Sequence, residues 1–229
     1  MAPLAPAAGR SRSPSWEAAL IQPDLARFFE LLAAVPVAPD AEALWDAGRP
    51  GGALRLANLH RYLELVADAD TALIAEAPGH RGATVTGVPF MSLRELTARP
   101  GRITGDPAGD GFAVPEGPAP AWEASSAVVW AALARWGRPL PVSWPIVPHH
   151  PFPPGVPAGN RTPRPSEVRD GTPVALELLA ALRVRRVVAV GRKAEAALAD
   201  AGVDAVAVRH PAQGGAARFT EGLLRLAPG

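Results

Sequence analysis

Glu76 and His210 are the side chains of this sequence best placed for chemistry. Each follows a short apolar run typical of a buried strand, residues 71–75 before Glu76 and residues 203–208 before His210. In an open parallel sheet, ligands bind at the carboxyl ends of the strands. A carboxylate, an imidazole and free backbone N–H groups at that edge could hold an anion as it forms. A carboxylate there could also simply cap the next helix, and a lone histidine is more often structural than catalytic.

The loop after Glu76 and a histidine pair downstream offer further candidates. Residues 79–87 are rich in glycine, but they lack the Lys-Ser/Thr pair of a P-loop and the spacing of a dinucleotide fingerprint, so ATP and NAD fit poorly. Phe90 follows this loop and is either a core residue or a stacking platform for a base. His149 and His150 are adjacent, so on a strand their side chains point apart. With no zinc pattern in the sequence, we expect neither a metal nor another cofactor.

Several basic and polar residues lie where phosphate contacts are common. Asn160 and Arg161 precede a predicted helix, and Arg192 and Lys193 begin another directly after a buried strand. For Asn160 and Arg161 the alternative is an ordinary turn. For Arg192 and Lys193 it is a tight turn with solvated charges, and we favour that alternative for Lys193. Local positive charge that suits DNA also comes from two arginines around the histidine motif, Arg209 and Arg218.

Alternating strands and helices predict the framework that positions these residues. The fold class is α/β, a three-layer α/β/α sandwich with a central four-stranded parallel sheet. The strands are expected at 71–75, 140–147, 186–190 and 203–208. Helices are expected from a cap at Asp24, over 53–67 and 123–136, from a cap at Ser166 through Leu182, from Gly191 to about 201, and over 216–226. Irregular connections are expected at 99–121 and 148–165.

Composition limits the remaining possibilities. The 229 residues are 48% apolar, and we expect a disordered tail at 1–15 and a single domain at 16–229, of which 16–70 form a helical extension. Zero cysteines exclude disulfides, thiolate nucleophiles and iron–sulfur clusters. No apolar run spans a bilayer and the start has no secretory h-region, so a cytoplasmic protein is expected. The net charge of +1 means that DNA affinity would need a local basic patch.

Five segments in this order resemble the uracil-DNA glycosylase superfamily. They cover roughly residues 70–225, and the first is similar to the Gly-Glu-Ala-Pro-Gly motif of bacterial branches, with Ala75 in place of the first glycine. The segments are Ala75-Glu76-Ala77-Pro78-Gly79, Arg81 to Phe90, Asn160-Arg161-Thr162-Pro163, Val188 to Ala194, and Arg209-His210-Pro211-Ala212-Gln213-Gly214-Gly215.

The resemblance implies an enzyme that flips its target nucleotide out of DNA, because the glycosidic bond is inaccessible inside a duplex. It implies that Phe90 stacks on the base, that His210 donates to the base O2 as negative charge develops, and that Glu76 positions a water. Ala77 cannot activate water as Asp or Asn does in other branches. The expected base-binding residues are Ala77, Pro78, Gly79, Phe90, Ser143, Pro145 and His149. The expected DNA contacts are Arg81, Asn160, Arg161, Arg192, Arg209, Arg218 and the wedge loop of Gln213 and Gly214.

One position departs from the family pattern. Relatives read Trp-Asn after the second strand, and the Asn amide pairs with uracil, whereas Trp144 is followed here by Pro145. Losing that contact should cost about 1–3 kcal/mol of discrimination. Ser143, His149 or His150 could replace it.

The sequence therefore predicts a monomeric, monofunctional DNA glycosylase that removes a deaminated base, with uracil first and hypoxanthine or xanthine as alternatives. It would leave an abasic site for base-excision repair. The other classes left open are a non-catalytic relative that binds DNA damage and a glycosidase for free nucleosides.

Overall fold

The fold is taken from a computed structural model that describes residues 24–98, 101–116, 122–137 and 139–228. The predicted tail at 1–15 lies outside these ranges. In chain order the elements are α1 (Ala26–Ala34), β1 (Ala41–Glu42), α2 (Gly52–Leu65), β2 (Thr71–Ala75), α3 (Ala83–Thr86), α4 (Leu93–Ala98), α5 (Ala124–Leu133), β3 (Val142–Pro145), β4 (His150–Pro151), α6 (Pro165–Ala181), β5 (Arg186–Val190), α7 (Arg192–Asp200), β6 (Val206–Val208) and α8 (Ala216–Leu224).

Four parallel strands form the central sheet, in the order β3-β2-β5-β6. Every residue of β2 is buried, as expected for an inner strand of a parallel sheet covered on both faces. In the register, Ala72 lies opposite Val142 on one side and Val187 on the other. The chain passes from β2 to β3 and then crosses to β5 on the far side of β2. The strand order therefore reverses between β2 and β5, and such a switch point is where open α/β sheets bind ligands.

Helices flank the sheet in two contacting series. In one series α1 packs on α6 and α6 on α7, while in the other α2, α3, α4, α5 and α8 follow one another in contact. With the sheet, these layers make the α/β/α sandwich that the sequence predicted, and the four predicted strands are the four that form it. None of the described helices is long and apolar enough to cross a membrane.

Some predicted boundaries were wrong. Ser166 does not cap α6: the helix begins at Pro165, whose fixed φ suits a first helical position, and the N-cap is Arg164. The Arg164 N–H donates to the Glu167 carboxylate at 2.7 Å. The predicted irregular connection at 148–165 also contains regular structure, since its β4 pairs with β1 in a small two-stranded antiparallel sheet.

The segment before β2 braces the loops at the strand ends. Arg55 of α2 is buried, and its guanidinium donates to the carbonyls of Leu44 (2.6 Å) and Thr84 (3.0 Å). Asn58, one turn further on, donates to the Thr86 carbonyl at 2.8 Å. The helix that the sequence predicted as part of an extension therefore fixes the loop that follows β2.

Candidate active site

A pocket of about 240 Å³ lies at the carboxyl ends of the strands, where the strand order reverses. Nine of the sequence-predicted site residues line it: Glu76, Ala77, Pro78, Gly79, Phe90, Pro145, Asn160, Arg161 and His210. Its other lining residues were not predicted: Trp45, Ala75, Ala83, Pro89, Glu123, Ser125, Trp144, Pro151, Pro163 and Ala212.

Glu76 enters the pocket from the end of β2. Its carbonyl accepts from the Val147 N–H at 3.0 Å, which extends the pairing of β2 and β3 by one step and fixes the backbone. Its carboxylate Oε1 lies 3.0 Å from Nζ of Lys193, which also donates to the Thr162 hydroxyl at 2.7 Å. Lys193 is half-exposed, yet it is not the freely solvated charge that we favoured from the sequence, because it holds Glu76.

His210 follows β6 and rests on the turn after β5. Gly191 has φ +91°, and its N–H donates to the Val208 carbonyl at 2.9 Å. A Cβ at Gly191 would lie 3.1 Å from the Cβ of His210. The absence of a side chain there lets the histidine pack directly against the neighbouring strand end.

The His210 ring is held in one neutral tautomer. The Ala212 N–H donates to Nδ1 at 3.1 Å, so Nδ1 must accept and the proton of the neutral ring must lie on Nε2. Burial, helped by the Arg209 charge, lowers the pKa of His210 and favours this neutral form. Within the described ranges Nε2 has no hydrogen-bond partner, so the N–H is available to a ligand.

Phe90 lines the pocket from a strained backbone. Its φ of +56° is in the left-handed region, which a bulky residue enters only when the surrounding structure holds it there. The Trp130 indole N–H donates to the Phe90 carbonyl at 3.0 Å, and Thr86 Oγ1 donates to the Met91 carbonyl at 2.7 Å. The loop is thus pinned on both sides of Phe90.

Glu123 is a pocket residue that sequence reasoning missed. It is the N-cap of α5, and its largely buried carboxyl packs against the loop after Glu76. Burial raises the pKa of Glu123 to about 7, against the opposing charge of Arg81. Its Oε2 is shielded and has no hydrogen-bond partner in the structure described. The sequence predicted Glu123 as the first residue of a helix over 123–136 and held no signal of this burial.

Asn160 and Arg161 contact protein groups instead of standing free for phosphate. Asn160 Oδ1 accepts from the His80 N–H at 3.0 Å and ties two pocket loops together. The Arg161 guanidinium contacts the Asp40 carboxylate at 3.0 Å and the Glu167 carboxylate at 2.6 Å. Because both acids are held by this arginine, the geometry favours a structural role for Arg161 over the predicted DNA contact.

Two predicted base-binding residues lie away from the pocket. The backbone N–H of Ser143 donates to the Tyr62 hydroxyl at 2.6 Å, and the Ser143 side chain is buried in the sheet. His149 Nε2 donates to the Val35 carbonyl at 3.2 Å and lines a separate cavity. His150, the third candidate, is buried outside the lining and donates from Nδ1 to the Pro78 carbonyl at 2.9 Å.

The remaining predicted DNA contacts are exposed and do not line the pocket. Gln213 and Gly214 both have positive φ, +52° and +73°, and form a sharp exposed turn just after His210. Over the described ranges no three His, Cys, Asp or Glu side chains are grouped so as to hold a metal ion. The exposed side chains are Arg81, Arg192, Arg209, Gln213 and Arg218.

Comparison with known proteins finds a similar fold among solved structures. No protein-family model matches the chain, and no curated protein matches it. Among solved structures, the crystal structure of wild-type SMUG2 from Pedobacter heparinus is similar, with a TM-score of 0.59 and 14% sequence identity over 83% of this chain and 87% of that chain. At this identity the likeness concerns the fold. The two chains therefore share a fold.

Proposed function

We propose that this protein is a monofunctional DNA glycosylase, which hydrolyses the N-glycosidic bond of a deaminated base flipped into the pocket. One observation carries the proposal: Glu76 and a neutral His210 with a free Nε2–H line the same pocket at the strand ends. The fold, which is similar to that of the SMUG2 DNA glycosylase, is compatible with the proposal. Uracil is the first candidate base, followed by hypoxanthine and xanthine.

In the proposed reaction, the bond between C1′ and the base nitrogen breaks and its electron pair leaves with the base. Negative charge then grows on the base carbonyl, and the Nε2–H of His210 donates to it more strongly in the transition state than in the ground state. Phe90 supplies a rigid face on which the base stacks. The pre-set tautomer of His210 means that no proton has to move before the bond breaks.

Water completes the reaction at C1′. Oε1 of Glu76 is held by Lys193, which leaves Oε2 to accept a hydrogen bond from the attacking water. The water oxygen bonds to C1′ and its proton passes to the carboxylate or to solvent. The departing base anion takes up a proton from solvent, so an abasic sugar and a neutral base result. Ala77, beside Glu76, presents only a methyl group and takes no part in proton transfer.

DNA is the proposed partner. The exposed arginines named above would contact phosphates, and the turn of Gln213 and Gly214 would enter the space that the flipped nucleotide leaves. Arg161 is not included, because two carboxylates already hold its guanidinium.

The direct test measures base release from oligonucleotides containing uracil, hypoxanthine or xanthine, in single and double strands. His210→Ala should lose about 100-fold or more in single-turnover rate, because the transition-state donor is gone, while DNA affinity changes little. Absence of base release from every substrate, with DNA binding intact, would refute the enzyme proposal.

The second candidate is a relative that binds DNA damage without catalysis. Pro145 and Ala77 favour it, because both line the pocket and neither offers a polar side chain to a base or a water. A pure binder would prefer damaged over undamaged DNA, and His210→Ala would have no turnover to lose.

A further inference from the structure

Glu123 presents a carboxyl group that the proposed reaction does not use. A Cβ built on Gly82 would lie 2.4 Å from Oε2 of Glu123, and one on Gly79 would lie 3.0 Å from Oε1. The carboxyl is therefore pressed against the backbone of the loop that follows Glu76. Both Gly79 and Glu123 line the pocket, so this contact forms part of its wall.

The surroundings of Glu123 favour an uncharged carboxyl. Burial is the main cause of its raised pKa, and Arg81 on the adjacent loop opposes it without forming an ion pair with it. The other charged or titratable side chains that line the pocket are Glu76, Arg161 and His210. Glu76 and Arg161 are held in ion pairs with other residues, and His210 is favoured in its neutral form. Glu123 thus faces the pocket without a counterion of its own.

A neutral carboxylic acid carries a donor and an acceptor side by side. It donates through O–H and accepts through C=O, whereas a carboxylate only accepts. Uracil, hypoxanthine and xanthine each present a carbonyl oxygen beside a ring N–H, which is the complementary pair. Pro145 has no polar side-chain atom, and the Asn160 amide oxygen is already bonded to His80. Oε2 is enclosed beside Gly82 without a hydrogen-bond partner, so a rotation of the carboxyl group toward the pocket would let a ligand supply one.

We propose that Glu123 is a base-recognition residue, which binds the carbonyl edge of the flipped base as a neutral carboxylic acid. The inference rests on the proposed function for the presence of a base in the pocket. It adds that recognition depends on the protonation of one side chain. Above the pKa of Glu123 the carboxylate has no proton to donate and repels the base carbonyl, so affinity for the base should fall as pH rises.

The test measures binding to oligonucleotides that resist cleavage, because binding is separable from base release. The probes are single-stranded DNAs with one 2′-fluoro-2′-deoxyuridine or one 2′-fluoro-2′-deoxyinosine, whose fluorine opposes positive charge at C1′. The same DNA with a tetrahydrofuran abasic analogue is the reference, since it lacks the base. Fluorescence anisotropy at about pH 6 and about pH 8.5, on either side of the expected titration, gives the preference for the base-containing probe.

In the wild-type protein the preference for at least one base should fall about 10-fold between the two pH values. Glu123→Ala should reduce it about 10- to 100-fold at the lower pH, the size expected for a two-point base contact. Glu123→Gln has nearly the same shape and keeps a donor and an acceptor, so its preference should not change with pH. Glu116→Gln removes an exposed carboxylate from the connection ahead of α5 and should keep the wild-type pH dependence.

The outcomes separate the two proposals. In one outcome the protein releases base, while Glu123→Gln and the wild type show the same preference for the base-containing probe at both pH values. This outcome overturns the role of Glu123 and leaves the glycosylase proposal intact. A Glu123-dependent preference without base release from natural substrates supports base recognition and overturns the enzyme proposal. Equal binding of the base-containing and abasic probes overturns the inference. If Glu123→Ala fails to fold, Glu123→Gln decides alone.

Discussion

The Lys193 ammonium lies 3.0 Å from the Glu76 carboxylate and joins the ends of two adjacent strands. Glu76 follows β2, Lys193 lies in the first turn of α7 after β5, and the strand order reverses between these two strands. The same ammonium donates to the Thr162 hydroxyl at 2.7 Å. One cation therefore orients the carboxylate proposed to hold the attacking water, and ties it to the loop that leads to α6.

Lys193→Met should reduce the rate of base release more than the affinity for DNA. Removing the ammonium leaves Glu76 free to adopt other rotamers, and loss of orientation should lower the single-turnover rate at saturating enzyme about 10-fold. Lys193 is half-exposed and water screens the pair, so stability should change by less than about 1 kcal/mol. Arg192→Met is the matched variant: it removes the adjacent exposed cation and should weaken DNA binding while the saturating rate stays the same. Equal rate losses in both variants would contradict the positioning role.

Gly191→Ala should impair His210 beyond its cost to stability. The residue has φ +91°, and a Cβ would lie 3.1 Å from the Cβ of His210, so the substitution adds backbone strain and pushes the histidine away. We expect about 1–2 kcal/mol of destabilisation and a lower rate of base release at saturating enzyme. Gly202→Ala is the control, since Gly202 has φ +73° with nothing within 4 Å of its Cβ position. It should be destabilised to a similar degree yet retain the wild-type rate.

Local patterns in the sequence predicted the sheet and much of the pocket. The unbroken apolar run before Glu76 indicated an inner strand, and the switch point of the resulting sheet brings Glu76 near His210. Contacts between distant segments could not be predicted in this way. Arg161 looked like a phosphate contact because its partner Asp40 is far away in sequence. Glu123 was predicted only as the first residue of a helix, because its burial depends on the loop of Gly79 and Gly82 that packs on it.

Asp40 should make the fold sensitive to acid. Hydrogen bonds from Arg164 and Arg161 hold the pKa of this carboxyl well below its ordinary range. A lowered pKa means that the unfolded chain binds the proton more readily, so the stability that Asp40 contributes is lost as pH falls below about 4. Asp40→Asn should melt at a lower temperature near neutral pH and show a shallower decline on acidification. Asp204→Asn, which alters an exposed carboxylate, should follow the wild-type curve. Parallel acid declines for Asp40→Asn and the wild type would contradict the role of this cluster.

Glu123→Gln should stabilise the protein increasingly as pH rises, whether or not the protein is an enzyme. Burial raises the pKa of Glu123 from an ordinary value of 4.5 to about 7, so the folded state holds the proton more tightly than the unfolded chain does. Between these two values the free energy of unfolding of the wild type therefore falls with increasing pH, and above about 7 the penalty is constant.

The size of that penalty sets the expected difference between the variant and the wild type. The difference in the free energy of unfolding should be small near pH 4 and reach up to about 3 kcal/mol in favour of Glu123→Gln above about pH 8. Urea unfolding at a series of pH values measures it, and Glu116→Gln, at an exposed site, should show no such trend. A constant difference between Glu123→Gln and the wild type across this range would mean that Glu123 is ionised in the folded protein. Stability depends on the protonation of Glu123 only if its carboxyl group is neutral in the folded state.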